Sequence, residues 1–483
     1  MTIAVTCGSC RTTFRVKDEH AGKHGKCPRC QAAVEVPAPP GPDGKNAAPP
    51  RPAAGAPQDR LLREILGAFQ GDIRPVRKTA AYGVGALVLT VAMLVLPALY
   101  LALIAGVGYL LYYHATADLA PVTALRNWWA LLFLYIGPLV VGAVLLFFME
   151  KPLFARRSRT GPLHTLEFGE EPLLFALVTR VAQAVGAPGP RHIAVDCQAN
   201  AFASFGGALG VVFGGDLVLT VGLPLVAGLS TQQLAGVIAH ELGHFSQGAG
   251  MRLSYVVRSV NAWFARLVYE RDDWDEALVR GCEEGGRLAL ILYLALLCVW
   301  LTRCALWVIM VLGHGLSCFM LRQMEYDADR YETRLAGTEA FAQTARKLLL
   351  LDLASGGAFA LAENTWKKTG RLPDDLSALV ITLCGSIPPA EFRKVEKEME
   401  GRKTGLFDTH PAHAERVAAA RRENAPGVFH LEGPAAQLFK DLPKLSRAVT
   451  LAFYRQVIGK RVKRDALAPV SVLLGGEAQQ GAG

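Results

Sequence analysis

STQQLAGVIAHELGHFSQG, residues 230–248, is the stretch on which the fold turns. Ser230 and Gln233 have the spacing of a capping box, which opens a helix. Leu234, Val237, Ile238, Leu242 and Phe245 then give that helix one apolar face. His240 and His244 lie four residues apart, about 40° around the axis, so both imidazoles can reach one ion. Glu241 points to the same side and is placed to act on a water at that ion. Zinc held by two histidines and a carboxylate keeps a position open for such a water. A chain of 483 residues contains H-E-x-x-H by chance on the order of once in a hundred, and a chance match has no reason to carry a cap and an apolar face.

The third ligand is expected downstream, as a carboxylate or a histidine. RQMEYDADRYETRLAG (322–337) supplies the best candidate, Glu325. Glu325 and Asp329 are four apart on a helix stopped by Gly337. One can face the metal while the other takes the far nitrogen of a histidine ligand and fixes its tautomer. Asp327 is an alternative ligand by composition only.

Outside this region the chain reads as a membrane protein with large polar parts. It is 51% hydrophobic and 19% charged, with a mean hydropathy of +0.26. That excludes a wholly disordered chain and disfavours an ordinary soluble enzyme. No fixed period supports a collagen, coiled coil or repeat array. The net charge of +9 is modest and has to be read by location.

From 79 to 117 there is no Asp, Glu, Lys or Arg, and 128–149 is a second apolar run opened by Trp128 and Trp129. These predict two transmembrane helices, at about 83–113 and 128–149, within a region 59–150. Arg74, Arg77 and Lys78 precede the first. Lys151, Arg156, Arg157 and Arg159 follow the second, and the loop between holds only Asp118 and Arg126. The positive-inside rule therefore puts both ends in the cytoplasm. A third apolar region, 288–321, is interrupted by Arg303. Its halves are each short of a span, so it reads as a re-entrant or tilted helical hairpin. An even number of crossings is required there if His244 and Glu325 are to meet. YVVRSVNAWFARLV (255–268), ahead of it, is an amphipathic helix that lies in the membrane interface or packs on the protein.

Between these regions, EPLLFALVTRVAQAVGAP (171–188) is an amphipathic helix, RHIAVD (191–196) a short strand, and GVVFGGDLVLTVGLP (210–224) has β character with glycines at its turns.

Cys7, Cys10, Cys27 and Cys30 form C-x2-C-x16-C-x2-C within residues 1–36. Each pair offers zinc two thiolates, and so short a unit has little core of its own, so the metal would supply the folding free energy. It resembles the short zinc ribbons found at the N-termini of many bacterial proteins. Its loop is basic, which suits protein docking better than nucleic-acid binding. The other six cysteines are scattered, which suits a reducing compartment. The segment 37–58 is a Pro/Ala/Gly linker. MTIAVTCGSC has no basic region followed by an apolar core, so no signal peptide is expected. Residues 466–483 read as a flexible tail.

HELGH (240–244), EYDAD (325–329) and DTHP (408–411) with Arg416 downstream together resemble the membrane-bound zinc endopeptidases typified by HtpX and the CAAX prenyl protease. NAFA (200–203) is similar to the family segment before its β-hairpin. The likeness covers roughly 165–425, and the transmembrane pair precedes it in family order. It implies that His240, His244 and Glu325 bind zinc, that Glu241 is the general base, and that Asp329 stands behind the ligands. His410 would stabilise the tetrahedral oxyanion, with Arg416 supporting it. Asn200, Ala201, Phe202 and Ala203 would form an edge strand that aligns an extended substrate. The segment 204–216 is richer in glycine than the family pattern, so the substrate groove can differ.

The expected architecture is thus a mainly α membrane protein. It combines a zincin-like α+β metallopeptidase domain over 151–465, two transmembrane helices, an apolar helical hairpin and a zinc ribbon. The expected activity is zinc-dependent hydrolysis of polypeptides, membrane proteins above all, at the cytoplasmic face of the inner membrane, in quality control. Two zinc ions are expected, one catalytic and one structural. The rival reading is a non-catalytic scaffold or sensor of the same fold that works through its ribbon.

Overall fold

The computed structural model describes residues 2–6, 12–17, 24–31, 33–35, 57–76, 80–124, 127–154, 164–205, 216–246, 249–271, 273–283, 289–459 and 462–474. The chain divides into two units, Met1–Pro57 and Gln58–Gly483.

In the first unit Thr2–Thr6 (β1) pairs antiparallel with Thr13–Lys17 (β2), and His24–Lys26 (β3) with Ala33–Glu35 (β4). Val5, Cys27 and Val34 are its buried core, too little apolar surface to hold so small a fold alone. Cys27 opens the turn after β3, and the Arg29 backbone N–H donates to its sulfur at 3.4 Å. Cys30 is exposed. Cys7, Cys10 and residues 36–56 of the linker region lie outside the described residues. The linker ends earlier than expected, because Pro57 opens the helix Pro57–Gly67, as proline does at a first helical position.

The second unit has a helical bundle and a mixed sheet. Ala80–Ala117 (α1) runs 38 residues straight through Pro97. Gly137–Phe154 (α2) returns beside it after a π-helical turn at Leu131–Ile136, and the Tyr100 hydroxyl donates to the Met149 carbonyl at 2.7 Å. The sheet follows, in the order His164–Leu166 (β5), His192–Asp196 (β6), Leu217–Gly222 (β8), Ala201–Phe205 (β7). Strand β6 is parallel to β8, whereas β5 and β7 are antiparallel to their neighbours. Strand β7 is therefore an edge. Pro172–Val185 (α3) and Thr231–Gly243 (α4) pack with the sheet, and Leu174, Leu177, Ile193, Leu219 and Leu234 are fully buried in one core.

Ala249–Tyr269 (α5) and Asp273–Glu283 (α6) lead to Ala289–Ala336 (α7), a single helix of 48 residues. This corrects the expected hairpin within 288–321: no turn occurs at Arg303. The guanidinium reaches the Asp275 carboxylate at 2.6 Å and the carbonyls of Glu270 at 2.8 Å and Val268 at 3.3 Å. Lys151 joins the same carboxylate at 3.1 Å. A charge with that many partners does not break a helix. Helix α5 packs on the protein, burying Val257 and Phe264 among Met93, Tyr100 and Leu306 of α1 and α7.

Among the described residues, three helices are long and apolar enough to cross a membrane: Tyr82–Ala117, Trp128–Leu153 and Ile291–Ala336. Their outer faces expose Val88, Leu94, Phe133, Val140, Leu312 and Phe319.

Thr338–Thr369 (α8) and His413–Glu423 (α9) complete the surroundings of the site. The expected tail begins late. Leu467–Ala468 pairs in parallel with Leu372–Pro373, and Val470 and Leu474 pack against the core. Residues 475–483 lie outside the described residues, as do 206–215 of the glycine-rich segment.

Candidate active site

Helix α4 starts as its sequence requires. Ser230 Oγ accepts from the Gln233 N–H at 3.2 Å, and Gln233 Oε1 accepts from the Ser230 N–H at 3.1 Å. The helix lies against α7 at close range because two of its residues lack side chains. A Cβ on Gly236 would stand 3.0 Å from Ala336 Cβ, and one on Gly243 would stand 2.9 Å from the Tyr331 ring. That approach carries the two histidines to the acidic face of α7.

The Nε2 of His240 lies 3.5 Å from Glu325 Oε2, and the Nε2 of His244 lies 3.7 Å from Glu325 Oε1. Ligand atoms at 2.0–2.1 Å from a tetrahedral zinc are about 3.4 Å apart, so these three side chains have nearly the edges of such a site. The other nitrogen of His240 faces away, with Asp329 Oδ1 at 3.1 Å and Glu332 Oε2 at 3.6 Å. Arg416 grips Asp329 with two bonds of 2.9 and 2.6 Å. Asp327 is turned to Arg330 at 3.2 Å and is absent from the metal-capable groups among the described residues.

Glu241, Glu325, Asp329 and Glu332 are gathered here with two guanidiniums, Arg258 and Arg416, among the described residues, and burial raises the Glu332 carboxyl to about 7. Burial opposes a proton on His240, yet the adjacent carboxylates of Asp329 and Glu325 hold its pKa well above the ordinary value. Burial pushes His244 down to about 3, so it is neutral and free to coordinate. Burial raises the Glu241 carboxyl, and the charge of His240 pulls it back. A raised carboxylate is a better base.

The cavity has a volume of about 450 Å³ and is lined by Asn200, Ala201, Phe202 and Ala203 as well as by the histidines and Glu241. The edge strand expected from NAFA is thus beside the cluster. His410 comes from a loop, with its Nδ1 3.2 Å from Glu325 Oε2. The sequence reading set Arg416 behind His410; the structure sets it on Asp329.

Four residues that the sequence reading passed over belong to this region. Arg258 of α5 donates to Glu325 Oε1 at 2.9 Å. Glu332 is three residues past Asp329 on the same face, so extending the acidic spacing by one turn would have found it. His314 reaches the Phe407 carbonyl at 2.8 Å, and Arg322 donates to the carbonyls of Gly405, Leu406 and Asp408. Together they pin the loop that carries His410. Their spacing on α7 gives no local signal, because their partners are more than eighty residues away.

Residues 170–424 match the model of peptidase family M48. The chain is 26% identical over 270 residues to protease HtpX of Acinetobacter baylyi, covering 53% of this chain and 73% of that protein. It is 25% identical over 209 residues to protease HtpX of Chromohalobacter salexigens, covering 43% and 58%. To protease HtpX of Acinetobacter baumannii it is 24% identical over 298 residues, covering 59% and 84%. No solved structure matches the chain significantly.

Proposed function

The chain belongs to peptidase family M48 and is an HtpX-like membrane metalloprotease, and from that premise we propose that it is a zinc endopeptidase working at the cytoplasmic face of the inner membrane. The carrying observation is the convergence of His240 Nε2, His244 Nε2 and the Glu325 carboxylate, with Glu241 on the same turn.

In this reading His240, His244 and Glu325 hold the zinc. The ion, when bound, polarises the scissile carbonyl and makes a water more acidic. Glu241 takes the proton of the attacking water and returns it to the leaving amine. His410, 60% exposed on its side chain, donates to the oxyanion. Asp329 fixes the tautomer of His240 and is itself fixed by Arg416. Strand β7 aligns the substrate by adding it as a strand, with Asn200 to Ala203 at the contact. The four cysteines of the ribbon hold a second, structural zinc, and the ribbon docks a protein partner on the same side of the membrane. The basic residues flanking the spans support the cytoplasmic orientation. A role in disposing of damaged or unassembled membrane proteins follows as the biological reading.

Zinc content and proteolysis test this together. The wild-type protein should carry two zinc ions per chain, one lost in His240→Ala and the other in Cys27→Ala. Glu241→Gln should keep both and lose cleavage. A Glu241→Gln protein that digests an unfolded membrane protein at the wild-type rate refutes the mechanism.

A further inference from the structure

Residues 402–412 form the loop that carries His410, and its tip inverts what a turn in water does. Leu406 and Phe407 are 75% and 51% exposed. The backbone beneath them is closed instead. Arg322 donates to the carbonyls of Gly405, Leu406 and Asp408 at 3.2, 3.2 and 2.9 Å, and His314 Nε2 donates to the Phe407 carbonyl at 2.8 Å. Consecutive carbonyls from 405 to 408 thus have side-chain partners from one helix. A turn in water needs no such help, because solvent supplies the donors. In a medium without water each open carbonyl is costly.

The position of the tip names that medium. Phe407 lies against Gly315 of α7, where a Cβ would stand 3.2 Å from its ring. Leu312 and Phe319, three residues before Gly315 and four after it, are exposed on the same helix, so the tip widens the apolar outer face of α7. No Asp, Glu, Lys or Arg occurs in 304–321, and Arg322 ends that stretch. The helical rise from 315 to 322 sets Gly315 about 10 Å to the apolar side of Arg322. Interfacial apolar groups enter a leaflet to about that depth, roughly 5–10 Å. At the base of the loop Arg402 and Lys403 are exposed, with the sign that meets anionic headgroups; Arg402 is also 3.5 Å from Asp408.

We propose that Leu406 and Phe407 enter the acyl boundary of the leaflet beside the site, with Arg402 and Lys403 at its headgroups, and that the bilayer thereby holds the loop where His410 meets Glu325, Nδ1 to Oε2 at 3.2 Å. The occupant is lipid rather than a second copy or another protein. The tip continues the outer face of a helix long and apolar enough to cross a membrane, and it does so on the apolar side of that helix's charged boundary. Leu406 and Phe407 are positioning residues, acting through the loop they anchor. The membrane contact stands on the loop alone, whereas its effect on turnover rests on the peptidase reading of the neighbouring site.

The test uses the full chain in vesicles of phosphatidylcholine and phosphatidylglycerol. A coumarin amino acid at position 406, in the Glu241→Gln background, should lose emission when the lipids are brominated high on their acyl chains. Emission indifferent to bromine, the result for a tip covered by protein or by water, overturns the proposal, and this arm needs no turnover. Leu406→Asp should lower kcat about tenfold on a short soluble peptide, with KM and catalytic zinc unchanged, and Leu406→Phe should keep the wild-type rate. A wild-type kcat in Leu406→Asp refutes the hold on His410. So does a raised KM with kcat intact, which marks a substrate contact, or a loss of zinc, which marks a purely structural role. Wild-type cleavage by Glu241→Gln refutes the peptidase reading, and the quenching still decides the membrane contact.

Discussion

Helix α7 carries two charged clusters about 33 Å apart by helical rise, and they treat buried charge in opposite ways. Around Arg303, two cations, a carboxylate and two backbone carbonyls satisfy one another. Around Glu325, two imidazole nitrogens converge on a carboxylate, and neither His240 Nδ1 nor His244 Nδ1 has a hydrogen-bond partner among the described residues. The first cluster is complete as protein. The second has the ligand grouping of a site that could hold a metal ion. Burial of ionised groups alone does not separate them; the balance of donors and acceptors does.

Mutations sharpen that contrast. Glu241→Gln should lower kcat by about 10³-fold with zinc at the wild-type level by metal analysis. His410→Ala should cost about 10²-fold in kcat, again with zinc retained; loss of the metal would make His410 a ligand. Asp329→Asn should weaken zinc by about 10–100-fold, measured by competition with a chelator, since His240 then loses its anchor. Gly243→Ala forces a methyl against Tyr331 and should cost about 2–3 kcal/mol of stability while also weakening zinc. Arg303→Leu should have the smallest effect, about 1–2 kcal/mol in denaturation, with zinc affinity unchanged. If zinc affinity falls in that variant, the two clusters are coupled and the comparison breaks.

The chemistry was legible because its parts are local. A cap at Ser230, histidines one turn apart and the acidic ladder from 325 to 329 each lie within one helix, and the structure sets the histidines beside that ladder. What the sequence concealed depends on distant partners. Arg303 reads as an interruption until Asp275 is set beside it. Arg258 reads as the polar face of an amphipathic helix until Glu325 receives it. Leu467 and Ala468 look like the start of a tail because the strand that receives them lies almost a hundred residues earlier. Glycines 236 and 243 are unremarkable in a string of letters, and only the opposing helix reveals that any side chain there would separate the histidines from their carboxylate.

The unbroken course of α7 has a mechanical corollary. One rod joins the exposed Leu312 to Glu325, Asp329 and Glu332 with no hinge between. Pivoted near Arg303, a lean of about 2° displaces the carboxylate of residue 325 by about 1 Å over that lever arm. An ångström is half a zinc–ligand bond length. A lean imposed on such a rod at its apolar end reaches the residues that face the histidines.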